Sequence, residues 1–364
     1  MKTRYVLWGL VWSVLFLFSI NCTYRLWVVY PLLSIRFAEP LKEGQAETII
    51  ESFRSSENLE DSSVSLTFWK ETATNLTSDW GTSDATLLTY YGEGRVVYPA
   101  AVLEGRLPAA REENRCAVSD SVAWQLWGSR DVLGQTVKID DHVLIICGVF
   151  RSSEHIVLCG GNLNEQYENI ECAGTFLVEP VETMKAIVRT SGITQDTLYY
   201  FPIPWIVATT LYVLLPAVIV ILRLVYTFKY EHKRFSNSRN SNRYTFLRNI
   251  TPIIRLFLIP MLALCIALLL PALLNLLPVW TTPSQWSDFS FWSSITSQLY
   301  ESIQQFFSLQ PFSKDVLAKW YLLKGCTAAT STLILSLTLF TGIDFRMQSY
   351  RHNSGSRQTK CPEK

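Results

Sequence analysis

The chain has 364 residues, of which 49% are hydrophobic and only 17% charged, and its mean hydropathy is +0.17. That charge content is below the roughly 25% of soluble domains, so a membrane reading comes first. The net charge is +1 and the basic residues are segregated rather than patched, so nucleic acid is not expected as a partner.

Lys2 and Arg4 precede an apolar run from Tyr5 to Ile20. A secretory signal peptide is the rival reading, but the exit Ser19-Ile20-Asn21-Cys22 offers no small-x-small cleavage site. An uncleaved anchor over residues 1–30 is the expectation, stopped by Pro31. Residues 31–200 are polar and read as an α+β domain with its own core. In it, Glu43 to Phe53 forms a helix with Ile49, Ile50 and Phe53 on one side. Val64, Leu66 and Phe68 alternate as a strand. Leu87 to Tyr91 and Val96 to Val102 read as two further strands around Gly92 and Gly94.

Between Glu104 and Phe150 the signals are densest. Cys116 to Val118 reads as a buried strand. Ser119 or Asp120 caps a helix carrying Val122, Ala123, Leu126 and Trp127, and Gly128 closes it. Val137, Ile139 and then Val143 to Val149 form two strands turning at Asp140-Asp141. Beyond it, Thr175 to Val178 reads as a strand, and Glu182 to Arg189 as a helix closed by Gly192.

The second apolar segment, Ile203 to Val225, spans about 34 Å at 1.5 Å per residue, enough to cross a bilayer. It opens a span over residues 201–228, with Pro216 as a kink. A third is expected over 250–278 and a fourth over 321–343, where Gly325, Ala328 and Ala329 are small enough for close helix approach. The loop 229–249 carries Lys229, Lys233, Arg234, Arg239, Arg243 and Arg248 against Glu231, and the tail 344–364 is also basic. By the positive-inside rule, both termini and that loop are cytoplasmic and residues 31–200 lie outside. In the outer loop 279–320, Ile295, Leu299, Ile303 and Phe306 recur at helical spacing. They define an amphipathic helix lying on the membrane surface or packed on the outer domain.

Several pieces in this order carry a family resemblance: Glu104-Gly105-Arg106-Leu107-Pro108, Ala117-Val118-Ser119, Leu126-Trp127-Gly128, Leu133-Gly134-Gln135-Thr136 and Gly148-Val149-Phe150. Together they resemble the MacB-like periplasmic core domain, found with FtsX-like permeases in ATP-binding cassette systems. One helix, a large outer domain and three further helices is also that family's topology. The resemblance implies an α+β extracytoplasmic domain of MacB-like core type on a four-helix transmembrane region. It further implies a separate cytoplasmic ATP-binding subunit, a homodimer or a heterodimer with a related permease, and motion transmitted from the ATPase to the outer domain. The outer domain is smaller than the family's usual two-part domain, and the last outer loop is longer. A stand-alone membrane-anchored binding or sensor protein that reuses the outer domain is the alternative.

Of eight cysteines, Cys159 and Cys172 flank the polar loop Gly160 to Glu171, and a disulfide is the expectation there. Free thiols, or a metal with His155, are the alternatives, the latter without paired zinc-ligand spacing. Cys116 and Cys147 form a second bridge or a pair of buried free thiols. The acidic pairs Glu112-Glu113 and Asp140-Asp141 fall at turns, where solvated acids are the rule. The chain carries no GxSxG, HExxH, paired CxxC or GxxxxGKS/T motif, so no enzyme activity and no cofactor is expected. The charges of loop 229–249 set topology, meet anionic lipid headgroups, or frame a contact on an ATPase. In that last reading, the apolar cluster Tyr244, Phe246 and Leu247 touches the partner.

Overall fold

The structure is a computed structural model and describes residues 2–30, 33–55, 63–140, 142–175, 180–193, 197–237, 289–308 and 312–358. The chain divides into two units, one of Met1–Arg25, Val207–Leu276 and Trp320–Lys364, the other of Leu26–Ile206 and Leu277–Lys319.

The second unit is a mixed domain of strands and helices around a ten-stranded sheet ordered β10-β1-β9-β2-β3-β8-β5-β7-β4, with β6 bridging β2 and β7. The strands are β1 (Leu33–Phe37), β2 (Ser63–Ser78), β3 (Gly81–Tyr91), β4 (Val102–Gly105), β5 (Arg115–Ser119), β6 (Thr136–Ile139), β7 (His142–Phe150), β8 (Ile156–Gly160), β9 (Asn169–Thr175) and β10 (Thr197–Tyr200). Among the described residues, only β3 with β8 and β5 with β7 pair in parallel. The long strand β2 pairs with β9 through Trp69 and with β6 at Leu76 and Thr77. The pairing β2-β3-β8-β5-β7-β6 therefore returns to β2 and closes a ring.

The ring is filled by apolar side chains, among them Leu76, Val118, Val137, Ile146 and Val157, all at most 1% exposed. One end is stoppered by Val122, Ala123 and Leu126 of the helix Asp120–Trp127. That helix begins where expected: Ser119 Oγ accepts from the Val122 amide, and Gly128 closes it at φ 65°. Its cap is tied to the sheet as well, because Ser119 Oγ also accepts from Ile156 N at 3.2 Å. Gly105 is required by space: a Cβ there would collide with the Cys147 carbonyl oxygen. The β6–β7 turn sits at Asp140, whose φ of 52° is the left-handed conformation a two-residue hairpin needs.

Several elements differ from the sequence reading. Residues Val96 to Val102 are not a strand; Gly94–Val97 is one helical turn, and β4 begins at Val102. Pro99 cannot donate to a ladder, so the chain turns there before pairing. Strand β2 runs well past Phe68, and β1, β8 and β10 add strands not read from sequence; β9 ends at Thr175, where a strand was expected to begin, and residues 176–178 of that expected strand lie outside the described residues. The helix Gln45–Arg54 and the helix Pro180–Thr190, which precedes the left-handed Gly192, lie where their periodicity indicates.

Among the described residues the helices are, in chain order, α1 (Lys2–Val29), α2 (Gln45–Arg54), α3 (Gly94–Val97), α4 (Asp120–Trp127), α5 (Pro180–Thr190), α6 (Ile203–Asn237), α7 (Phe289–Ser308) and α8 (Ser313–Gln358). Two described stretches are long and apolar enough to cross a membrane, Leu7–Val29 and Ile203–Arg223. The third expected span lies outside the described residues. The fourth falls on α8, which is not one of those two.

Within the first unit, the small residues of α8 allow close approach: a Cβ on Gly325 would stand 3.1 Å from Cys22 Cβ, and Ala328 and Ala329 are buried. Trp12 Nε1 donates to Ser336 Oγ at 2.9 Å, and the Tyr212 and Thr330 hydroxyls are 2.8 Å apart.

Candidate functional site

The second unit contains four charged side chains that are almost wholly buried, in a sheet region where apolar residues would be expected. Arg36 on β1 is 6% exposed, Glu171 on β9 is 0%, and Lys314 and Asp315 in the first turn of α8 are 1% and 0%. Arg36 sits in the strand sequence Leu-Ser-Ile-Arg-Phe and Glu171 in Asn-Ile-Glu-Cys, and the pairing of β1 with β9 brings the two strands together.

Glu171 is the hub. Its Oε1 lies 3.1 Å from Arg36 Nη2 and 3.2 Å from Lys314 Nζ. It also accepts from Trp69 Nε1 at 3.2 Å and from the Ser34 hydroxyl. Asp315 Oδ1 is 3.7 Å from Arg36 Nη2 and accepts from Tyr30 OH at 3.1 Å. Lys314 Nζ donates onward to the Val96 carbonyl at 2.8 Å. One residue earlier, Ser313 donates its amide to Glu71 Oε2 at 3.0 Å and its hydroxyl to Glu71 Oε1 at 2.9 Å. A carboxyl group thus accepts from the first amide of α8, where the helix dipole favours negative charge.

Rings enclose the charges. The Arg36 guanidinium lies 4.8 Å from the Trp69 ring centroid and 5.3 Å from that of Phe312. Tyr30, Tyr200, Trp205 and Phe306 form an adjoining aromatic cluster with centroid separations of 4.7–6.3 Å. Phe306 is 1% exposed, so the end of α7 packs on the domain. These residues stand where the chain leaves α1, enters α6 and enters α8.

Burial sets the electrostatics. It pushes Asp315 above the ordinary carboxylate range, although Arg36 and Lys314 oppose it. Burial likewise pulls Lys314 down, against the pull of Glu171. Arg36 is raised: burial opposes its charge, and Glu171 and Asp315 together outweigh it. Hydrogen bonding is incomplete, because Arg36 Nε, Nη1 and Nη2 and Asp315 Oδ2 are buried without a well-aligned partner. Beside Arg36 opens a cleft of about 630 Å³, lined also by Phe37, Pro40, Asn169, Leu198 and Phe312. In the low-dielectric interior, a partly satisfied network of charges costs stability that an apolar core would not.

The cysteines expected to bridge do not meet. Cys159 and Cys172 are free thiols on β8 and β9, and β3 and β2 lie between those strands. Three strand spacings are about 14 Å along the sheet, beyond the roughly 7 Å reach of a disulfide. The intervening loop crosses the β2–β3 hairpin and is held by hydrogen bonds: Gly161 N to Tyr90 O at 2.7 Å and Tyr167 OH to Asn162 O at 2.6 Å. Cys147 lies at a register shift between β5 and β7, its Sγ 3.5 Å from the Arg106 carbonyl. No group of three or more His, Cys, Asp or Glu among the described residues is arranged to hold a metal.

Both acids of the first turn pair have partners: Glu112 accepts from Arg106, and Glu113 from Asn162 Nδ2 at 2.6 Å. Tyr244, Phe246 and Leu247 lie outside the described residues. Sequence reasoning missed the ionic network. A charge inside an apolar strand run, as at Arg36 and Glu171, was the signal that could have found it.

No family model matches the sequence, and no curated protein matches it. Three solved structures have similar folds, each over 46% of this chain. One is the periplasmic region of MacB from Actinobacillus actinomycetemcomitans (11% identity, TM-score 0.39, 87% of that chain). Another is the extracellular domain of the noncanonic ABC-type transporter YknZ from Gram-positive bacteria (13% identity, TM-score 0.36, 98% of that chain). The third is a domain of a putative permease protein from Porphyromonas gingivalis (17% identity, TM-score 0.32, 86% of that chain).

Proposed function

We propose that this chain is a permease-like subunit of an ATP-binding cassette system, whose outer domain moves with its membrane helices. The observation that carries this reading is the buried ionic network, which fastens the first turn of α8 to β1 and β9. A helix held at its first turn by four buried charges passes a pull or a twist to the sheet, instead of swinging on a loose linker. The ordered motifs from Glu104 to Phe150 and the apolar stretches Leu7–Val29 and Ile203–Arg223 support the same reading. In it, residues 31–200 lie outside, both termini lie in the cytoplasm, and a dimer of such subunits works with a separate ATP-binding subunit. Tyr244, Phe246 and Leu247 contact that subunit, and the basic residues around them meet anionic lipid.

Affinity purification of the full chain in mild detergent tests this directly. An ATP-binding subunit is expected to copurify, and Tyr244→Ala with Phe246→Ala is expected to weaken its recovery without loss of membrane insertion. Recovery of the chain without any ATPase would replace the permease with a stand-alone membrane-anchored sensor.

A further inference from the structure

The strands Arg-Cys-Ala-Val-Ser and Ile-Val-Leu-Cys-Gly each place one cysteine in an apolar run. β5 and β8 pair antiparallel, and the register sets Cys116 directly opposite Cys159. Directly opposed residues in such a pair have Cα atoms about 4.5–5.5 Å apart, inside the 4.4–6.8 Å range of disulfides. Both side chains enter the same core, at 0% and 6% exposure, and both are free thiols in this structure. Cys172 is three strands away, and the Cys147 thiol sits on the Arg106 carbonyl.

We propose that Cys116 and Cys159 are joined as a structural disulfide in the outer domain. The inference rests on that domain lying outside the membrane, where disulfide donors persist. The chemistry is thiol–disulfide exchange with a donor disulfide, protein or small-molecule. A thiolate of the pair attacks the donor, one donor sulfur leaves as thiol, and the second cysteine displaces the other. The Cys116–Cys159 bond forms, the donor S–S bond breaks, and two electrons and two protons pass to the donor. Because both thiols end in a packed core, exchange happens as the domain folds. In the folded protein, the bond is shielded from reductant.

The bridge would close a loop of about 40 residues, which in the chain-entropy model restricts the unfolded chain strongly. That loop carries α4, β6 and β7, so the bond pins the ring at the strand pair beside its helical stopper.

The test is non-reducing peptide mapping of the full chain, purified from membranes with free thiols alkylated before lysis. The expected result is a single peptide pair linked through Cys116 and Cys159. Dithiothreitol should cleave it rapidly only after denaturant is added. Reduction under denaturing conditions, followed by refolding with the thiols kept reduced, should lower the thermal midpoint by about 10 °C. A Cys147→Ala variant should keep the linked pair, and Cys159→Ala should lose it and leave Cys116 alkylatable on unfolding. Mapping of the unsubstituted chain decides the matter even where a variant fails to fold. Recovery of Cys116 and Cys159 as alkylated thiols, or of either joined to Cys147 or Cys172, overturns the bridge. Labelling of a Trp80→Cys chain on intact cells with an impermeant maleimide separates the two ways of failing. Trp80 is 78% exposed at the β2–β3 tip. A labelled tip with free Cys116 and Cys159 rejects the bridge alone, and an unlabelled tip rejects the outside placement too.

Discussion

The sheet has two halves built on opposite principles. The ring closed by β6 is filled with aliphatic side chains and is stoppered by α4. The strands β10, β1 and β9 instead hold Arg36 and Glu171 against Lys314 and Asp315. An apolar core is the cheaper way to stabilise a domain, since buried ion pairs often do no better than hydrophobic residues of equal volume. Among the described residues, the buried charged side chains are confined to that half, so stability alone does not account for them. That half is also where the chain passes into α6 and α8. What the contrast teaches is that one sheet carries two kinds of interior, an aliphatic ring and a charged half that ties β1 and β9 to the first turn of α8.

The sharpest way to break the comparison is Glu171→Gln. The change removes a charge and no volume, and it leaves Arg36 and Lys314 buried with Asp315 as their remaining counter-charge. Breaking a buried pair in this way costs about 3–5 kcal/mol, a fall of roughly 10 °C in the thermal midpoint of the full chain in detergent. A midpoint within a degree or two of wild type would mean that the charges are effectively hydrated, and the fastening would lose its physical basis.

A smaller effect is expected in the ring. Ile146→Val removes one methylene from a residue 1% exposed and should cost about 1 kcal/mol. Read by the same melting experiment, it should lower the midpoint by only a few degrees. A loss as large as that of Glu171→Gln would show that the ring, too, is poised at its limit, and the two halves would no longer differ in kind.

Much of the ring was legible in the sequence, and the charged half was not. Cys116 to Val118, the Ser119 cap, Gly128 and the Asp140 turn are local signals, each decided by residues within a few positions of one another. They appear in the structure where they were read. The fastening depends on Arg36, Glu171 and Asp315, which meet only through the pairing of β1 with β9 and the return of the chain at α8. No periodicity marks such a meeting. The cysteines failed for the same reason: flanking a polar loop is a local property, whereas being bridged is decided by strand order, which sets Cys159 beside Cys116 and away from Cys172. The strand misread at Val96 to Val102 is different, because Pro99 was visible and its veto on ladder pairing should have been applied.

The smallest effect comes from an ion pair outside both halves. Glu112 accepts from Arg106 Nη1 and Nη2, each at 2.7 Å, and from the Ala109 amide at 2.9 Å. The Arg106 hydrogen bonds, helped by the Ala109 amide, hold its carboxyl down to about 2. A carboxyl whose pKa is lowered on folding adds stability above its unfolded value, near 4.5, and loses it as pH falls from there towards about 2. The pair is open to water, with side chains 49% and 31% exposed, so the contribution is screened and small. Glu112→Gln should leave the midpoint at pH 7 close to wild type and flatten part of its decline between pH 4.5 and 2. Added salt should shrink even that difference, whereas the loss from Glu171→Gln should persist in salt, because buried charges are screened much less. If Glu112→Gln proved as damaging at neutral pH as Glu171→Gln, burial would not be what separates the two ion pairs. The assignment of the fastening to the buried one would then fall.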